Sequence, residues 1–133
     1  MTLDAFLGVQ RTEISPDRVV AEWTIGPNAL QRLGIPHGGA YCVVHESTGS
    51  LGGFTWLNRD APEGEPVGVV VGTNNTTDFL RQAAEGDVIT TTATPIFRGR
   101  TQQLWRVESV NQDGKLIAQG QMRLANLPAI RTP

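Results

Sequence analysis

One helix start constrains this chain more than any other feature. In Ile35-Pro36-His37-Gly38-Gly39, a proline holds the entering backbone extended, and two glycines without side chains leave the first-turn amides open. The backbone dipoles favour negative charge at that end of a helix. From Ala40 the apolar residues Val43, Val44, Leu51 and Phe54 recur at helical spacing, which predicts one buried stripe, with Gly52 and Gly53 as the stop. At roughly 100° per residue, Glu46 lies about a third of a turn from that stripe, beside Cys42, Gly49, Ser50 and Gly53. A face of small residues around one acid points to close packing by a partner helix or a substrate. The plainer alternative is a solvated acid, with glycines that merely let the helix pack tightly.

The rest of the chain carries β signals. Arg18 to Ile25 alternates Val19, Ala21, Trp23 and Ile25 against Val20, Glu22 and Thr24, which predicts a half-buried strand ahead of the helix. Val67 to Leu80 opens on a Val-rich run, and Val88 to Phe97 is dominated by β-branched Thr and Ile. Gln102 to Val110 carries Leu104, Trp105 and Val107, and Leu116 to Leu124 follows the hairpin signal Asn111-Gln112-Asp113-Gly114-Lys115. The expected order is β-α-β-β-β-β in an α+β fold. An antiparallel sheet of about five strands curled around one long central helix buries both the helix stripe and one sheet face. Asn58 to Pro66 is the one stretch of loop composition, and no repeat or linker interrupts the chain, so residues 1–133 are expected to form one domain.

Composition bounds the function. A chain of 133 residues, 39% hydrophobic, can bury one modest core, and no apolar run is long enough for a membrane span or a signal peptide, so a soluble domain is expected. The net charge of −2 gives no general attraction to nucleic acid or to anionic membranes. Ten of the eleven basic residues are nevertheless Arg, the side chain whose planar fork grips phosphate best. Cys42, the single cysteine, excludes an internal disulfide and fits a reducing cytoplasm.

Bare amides at a helix N-terminus and a carboxylate two turns on are parts that can polarise a carbonyl and attack it. Eight positions separate Gly38 from Glu46, so at 1.5 Å rise per residue they stand roughly 12 Å apart along the axis. One carbonyl cannot touch both. A second, antiparallel copy of the helix would bring the glycines of one chain to the carboxylate of the other, so the expected site is shared across a two-fold dimer. Competing constellations are poor. Cys42 with His45 could form a thiol nucleophile pair, but a lone helix cysteine is ordinarily core. His37, His45 and Glu46 lack the spacing of a zinc set, and Gly38-Gly39 lacks the third glycine of a dinucleotide fingerprint.

Strand, His-Gly-Gly helix and four strands resemble the hotdog-fold acyl-CoA thioesterases over nearly the whole chain. The acid eight positions after the first helix glycine is similar to the branch that includes the phenylacetate-pathway, 4-hydroxybenzoyl-CoA (Arthrobacter-type), enterobactin-proofreading and dihydroxynaphthoyl-CoA thioesterases. The resemblance implies that Gln31 helps hold the thioester, that His37 positions loop and substrate, and that the Gly38 amide polarises the carbonyl. It also implies that Glu46 of the neighbouring subunit is nucleophile or general base, assisted by Ser50. Asp78-Phe79-Leu80-Arg81 resembles the family's strand ending in an Arg near the CoA entrance. Pro95-Ile96-Phe97-Arg98-Gly99-Arg100, leading into the strand of Leu104-Trp105, resembles a segment of the enterobactin and dihydroxynaphthoyl members. Gly39 as a second amide donor, Phe79, Arg81, Arg98, Gly99 and Arg100 are therefore the expected substrate-binding residues, with Arg98-Gly99-Arg100 either a clamp for CoA phosphates or an ordinary exposed turn.

Two departures stand out. Phe79 occupies a position where the enterobactin and dihydroxynaphthoyl members carry His, so their aromatic substrates are not inherited. Gly72-Thr73-Asn74-Asn75-Thr76-Thr77 is unusually polar for a central strand, as if its side chains met an equivalent strand across the dimer. A thioester carbonyl is less resonance-stabilised than an ester's, so amide donors and a carboxylate suffice, with no metal and no cofactor. The resulting expectation is a cytoplasmic acyl-CoA thioesterase, a homodimer at minimum and a homotetramer in full, with no nucleic-acid or membrane partner. A hotdog acyl-thioester hydratase or dehydratase and a non-catalytic acyl-CoA binding module are the alternatives.

Overall fold

Alternation is cleanest in Val19–Thr24, where Val19, Ala21 and Trp23 are buried while Glu22 and Thr24 are exposed. In the computed structural model, which describes residues 1–129, this strand is the second of six; the stretch 130–133 of the expected domain lies outside the described residues. The order along the chain is α1 (Leu3–Leu7), β1 (Gln10–Ile14), β2 (Val19–Thr24), a 3-10 turn (Pro27–Ala29), α2 (Gly38–Leu57), β3 (Gly68–Phe79), β4 (Val88–Arg98), β5 (Gln102–Val110) and β6 (Leu116–Pro128). The sheet runs β1-β2-β4-β5-β6-β3 with every pairing antiparallel, and α2 packs against β2 to β6. Among the described residues no helix is long and apolar enough to cross a membrane.

The sheet has six strands where about five were expected. β1 escaped the alternation test because it is an edge strand with no buried residue, and α1 because it is one capped turn that buries nothing, closed by Thr2 Oγ1 on the Ala5 N–H and by Gly8 at φ 77°.

Two features of α2 differ from expectation. The helix runs through Gly52 and Gly53 and ends at Asn58, whose N–H donates to the Phe54 carbonyl at 3.1 Å. The buried face comprises Ala40, Tyr41, Val44, His45, Thr48, Gly49, Gly52 and Gly53, whereas Val43 and Leu51 are half-buried and Phe54 is 36% exposed. Contact distance, not hydrophobicity, decides which face goes in. A Cβ at Gly52 would stand 2.7 Å from the Trp105 ring, and one at Gly53 2.4 Å from Leu124. The glycines therefore seat the helix flush on the sheet, over Trp105, Met122 and Leu124, rather than receiving a partner helix. The buried Gln103 ties the same end down, with Nε2 donating to the Gly53 carbonyl (3.1 Å) and Asn126 Oδ1 (2.8 Å) and Oε1 accepting from Trp105 Nε1 (2.8 Å).

β3 changes its inward-facing set part-way. Gly68 and Gly72 abut Leu57 and Glu46 of the helix and Val70 packs on the core, but beyond them it is Asn75, Thr77 and Phe79 that meet α2. The pairing with β6 explains the switch, because Gly72 pairs with Leu124 and Asn74 with Arg123, leaving Thr73 as an extra residue in a β-bulge.

Candidate active site

The helix start is held by a short hairpin. Gln31 N–H donates to the Ile35 carbonyl at 2.8 Å, Gly34 turns the chain at φ 81°, Leu30 bridges Pro36, and His37 N–H donates to the Ala29 carbonyl at 2.7 Å. His37 is the N-cap of α2, and its Nδ1 accepts the Gly39 N–H at 2.8 Å. The expected pair of amide donors thereby reduces to one. Gly39 N–H is committed to His37, and Gly38 N–H has no acceptor among the described residues. Both glycines are required sterically, since a Cβ at Gly39 would stand 2.9 Å from the His37 ring and one at Gly38 2.8 Å from the ring of Phe79.

Gly38 floors a pocket of about 320 Å³ whose walls include Pro36, Tyr41, Phe79 and Arg81. Phe79 is 55% exposed and leans on Tyr41, with ring centroids 6.1 Å apart. The Tyr41 hydroxyl is buried without a partner among the described residues; burial, and after it the charge of Asp87, push the phenol up to about 12, so it stays protonated. Gln31 Oε1 accepts from the Leu33 N–H within the hairpin, which leaves its amide hydrogens uncommitted among the described residues.

Glu46 lies elsewhere. It is exposed, stands against bare Gly72 where a Cβ would come within 2.8 Å of Oε1, and has no hydrogen-bond or ion-pair partner among the described residues. Ser50, one turn on, lines an open cleft of about 590 Å³ between α2 and β3, together with Ser47, Phe54, Val70 and the Asp4–Arg11 ion pair. Neither cavity takes in both Gly38 and Ser50.

The arginines divide. Arg81 is exposed at the Gly38 pocket. Arg98 is engaged inside the chain: Nη1 donates to Asp17 Oδ1 (2.8 Å) and the Pro16 carbonyl (2.9 Å), and the guanidinium lies 5.3 Å from the Trp56 ring centre. Gly99 closes the turn by donating to the Gln102 carbonyl at 2.9 Å, and among the described residues the exposed Arg100 is held only through its carbonyl, which accepts from Asn126. Among the described residues no three His, Cys, Asp or Glu side chains gather as a metal site.

The sequence reading passed over Tyr41, Gly72, Asn75 and Thr77, although the polar run 72–77 was the visible signal for three of them. His45, weighed there only as a partner for Cys42 or zinc, is 1% exposed and bonded to Ser109 Oγ at 2.8 Å; burial lowers its pKa to about 4.

Known proteins agree with this architecture. The family model of the thioesterase superfamily matches residues 33–118. The chain is 45% identical over 126 residues to a Mycobacterium tuberculosis protein provisionally named an esterase, covering 95% of this chain and 86% of that one. It is 30% identical over 122 residues to the 1,4-dihydroxy-2-naphthoyl-CoA hydrolase of Escherichia coli K12, covering 92% and 84%. The crystal structure of AziG from S. sahachiroi superposes with a TM-score of 0.88 at 43% identity, covering 97% and 98%. The chain belongs to the thioesterase superfamily, with its hotdog fold, and is a thioester hydrolase.

Proposed function

We propose that the chain hydrolyses acyl-CoA thioesters at a site built by two antiparallel copies. The observation that carries this reading is the separation of two groups without a partner among the described residues, the Gly38 N–H at one pocket and the exposed Glu46 carboxylate outside it, against Gly72. They stand roughly 12 Å apart along α2, more than one carbonyl spans. The outer edge of β3, next to Glu46, pairs with no other strand among the described residues, so a second copy can add there. A homodimer is the minimal unit in this reading, and a homotetramer its full assembly.

In the reaction the Gly38 N–H of one copy donates to the carbonyl oxygen and draws charge from the carbon. Glu46 of the other attacks that carbon, or takes a proton from a water that attacks. The C–S bond breaks and CoA leaves as a thiolate and is protonated. Where Glu46 attacked directly, a water then hydrolyses the anhydride left on it, and by either route the acyl group leaves as its acid and the carboxylate is restored. The step needs neither metal nor cofactor. Gln31 lends its free amide hydrogens to the thioester, Ser50 steadies the acid or its water, and His37 holds the loop through its bond to Gly39. Phe79 covers the acyl end, while Arg81 and Arg100, next to Gly99, meet the phosphates of CoA. The name of the E. coli relative supports a CoA ester, and a free Cys42 thiol suits the cytoplasm.

The test follows thiol release from benzoyl-CoA, hexanoyl-CoA and palmitoyl-CoA. At least one should be cleaved, and Glu46→Ala should lower kcat at least about a hundredfold while the exposed site leaves folding intact. Near wild-type hydrolysis by that variant removes the mechanism, and silence on all three substrates removes the CoA assignment.

A further inference from the structure

A line of side-chain hydrogen bonds crosses the fold from β2 to the edge strand. Trp23 Nε1 donates to Thr91 Oγ1 at 3.3 Å, and the Thr91 and Ser109 hydroxyls are hydrogen-bonded to each other at 2.7 Å. Ser109 Oγ meets His45 Nε2 at 2.8 Å, and His45 Nδ1 meets Thr77 Oγ1 at a longer 3.4 Å. The Thr77 hydroxyl then donates to Asn75 Oδ1 at 2.7 Å, and Asn75 Nδ2 donates to the Cys42 carbonyl at 2.9 Å. Trp23, Thr91, His45 and Ser109 are each no more than 1% exposed.

The two ends give this line a direction. An indole N–H only donates and a backbone carbonyl only accepts. Every hydroxyl between them is satisfied when each group donates toward Cys42. Thr91 donates to Ser109, Ser109 to His45 Nε2, and His45 from Nδ1–H to Thr77. That arrangement requires a neutral His45 carrying its proton on Nδ1, and burial, which lowers its pKa to about 4, keeps the ring neutral at pH 7.

The terminal acceptor has a second role. In α2 the Cys42 carbonyl is the i−4 acceptor for the N–H of Glu46. Asn75 thus fastens β3 to the very turn that carries the carboxylate, and Gly72 of the same strand abuts that carboxylate. Among the described residues β3 is an edge strand paired with β6 alone, and this bond ties it to the helix midway between the Asn58–Gly68 bonds at one end and the Tyr41–Phe79 contact at the other.

We infer that Asn75 and Thr77 are positioning residues for Glu46, ordered by the neutral ring of His45 through a one-directional hydrogen-bond chain. The inference rests on the catalytic reading of Glu46 given above. It accounts for the polar stretch of β3 without a partner strand, because its helix-facing members serve the chain, while Asn74 and Thr76 bond each other on the outer face at 2.8 Å.

The experiment measures hydrolysis of whichever of benzoyl-CoA, hexanoyl-CoA and palmitoyl-CoA is cleaved fastest. Thr77→Val and Asn75→Asp keep shape and remove the hydroxyl or the donor. Each should lower kcat about tenfold with KM within about twofold, and Thr77→Ser should stay within about twofold of wild type in both. In parallel, long-range 1H–15N NMR of the unmodified protein should find His45 as the Nδ1–H tautomer. An Nε2–H tautomer overturns the chain whether or not the variants fold. Full kcat in Thr77→Val and Asn75→Asp, or an equal loss in Thr77→Ser, overturns the positioning role. If Glu46→Ala retains activity the catalytic reading itself falls, whereas an inactive Glu46→Ala beside a fully active Thr77→Val sinks this inference alone.

Discussion

His37 Nδ1 accepts the Gly39 N–H at 2.8 Å, so the imidazole closes its own helix and leaves the neighbouring Gly38 amide as the free donor of that turn. The ring acts here as a cap. His37→Ala should therefore cost about 1 kcal/mol in urea unfolding, and His37→Asn, which restores a side-chain acceptor, a few tenths at most. Equal losses in both variants would mean that the ring's packing, not its bond to Gly39, stabilises the helix start.

A shared site has a signature in mixed dimers. Gln31→Ala removes the amide hydrogens offered to the thioester, and Glu46→Ala removes the carboxylate of the other copy. Each alone should be inactive. Random reassortment makes half the dimers mixed, with one intact site of two, so about a quarter of wild-type activity should return. Failure to recover any activity while subunit exchange is verified by mass would place both groups in one chain's site.

Arg98 and Arg100 are neighbours with different tasks. Arg98→Ala breaks the contacts to Asp17 and Trp56 and should lower stability by about 1 kcal/mol or less, with KM untouched. Arg100→Ala should raise KM for acyl-CoA by about three- to tenfold, most at low salt, and leave an acyl-pantetheine without nucleotide phosphates unaffected. Equal effects on both substrates would remove Arg100 from phosphate binding.

Acid should weaken the fold through His45. Its pKa is lowered by burial to about 4 in the folded chain against an ordinary value near 6.5. Between those values the unfolded chain binds a proton that the folded chain refuses. Stability is therefore complete above about pH 6.5 and falls as pH drops toward 4, by up to about 3 kcal/mol. Asp87, held below the usual carboxylate range first by Gln112 and then by the Ala84 amide, titrates beneath this window. Urea unfolding at pH 7 and 4.5 should register the loss, and His45→Asn should flatten it; an unchanged slope in that variant would assign the acid sensitivity elsewhere.

Much of this is legible in the amino-acid sequence alone. The helix start at Gly38, the strand ahead of it and the four after it follow from proline, glycine and alternation, and so does the lone carboxylate two turns on. Gly52 and Gly53 misled because glycine both ends helices and seats them, and only the Trp105 and Leu124 side chains beneath decide which. The commitment of Gly39 to His37 and of Arg98 to Asp17 depends on rotamers and on contacts across 81 positions, which no local pattern carries. The polar run of β3 was visible but unassignable, since its partners, Cys42 and His45, lie about thirty positions earlier on the helix.

Thr73 gives that strand two reading frames. Up to Gly72 the even-numbered residues look at the helix, and from Asn75 the odd-numbered ones do. Losing one residue at the bulge would keep both frames, whereas losing one between Asn75 and Phe79 would turn whatever follows it to the opposite face. Length variation in β3 is therefore tolerable at a single point, the one beside the carboxylate, and a homologue shortened there would still present the residues at 75, 77 and 79 to its helix.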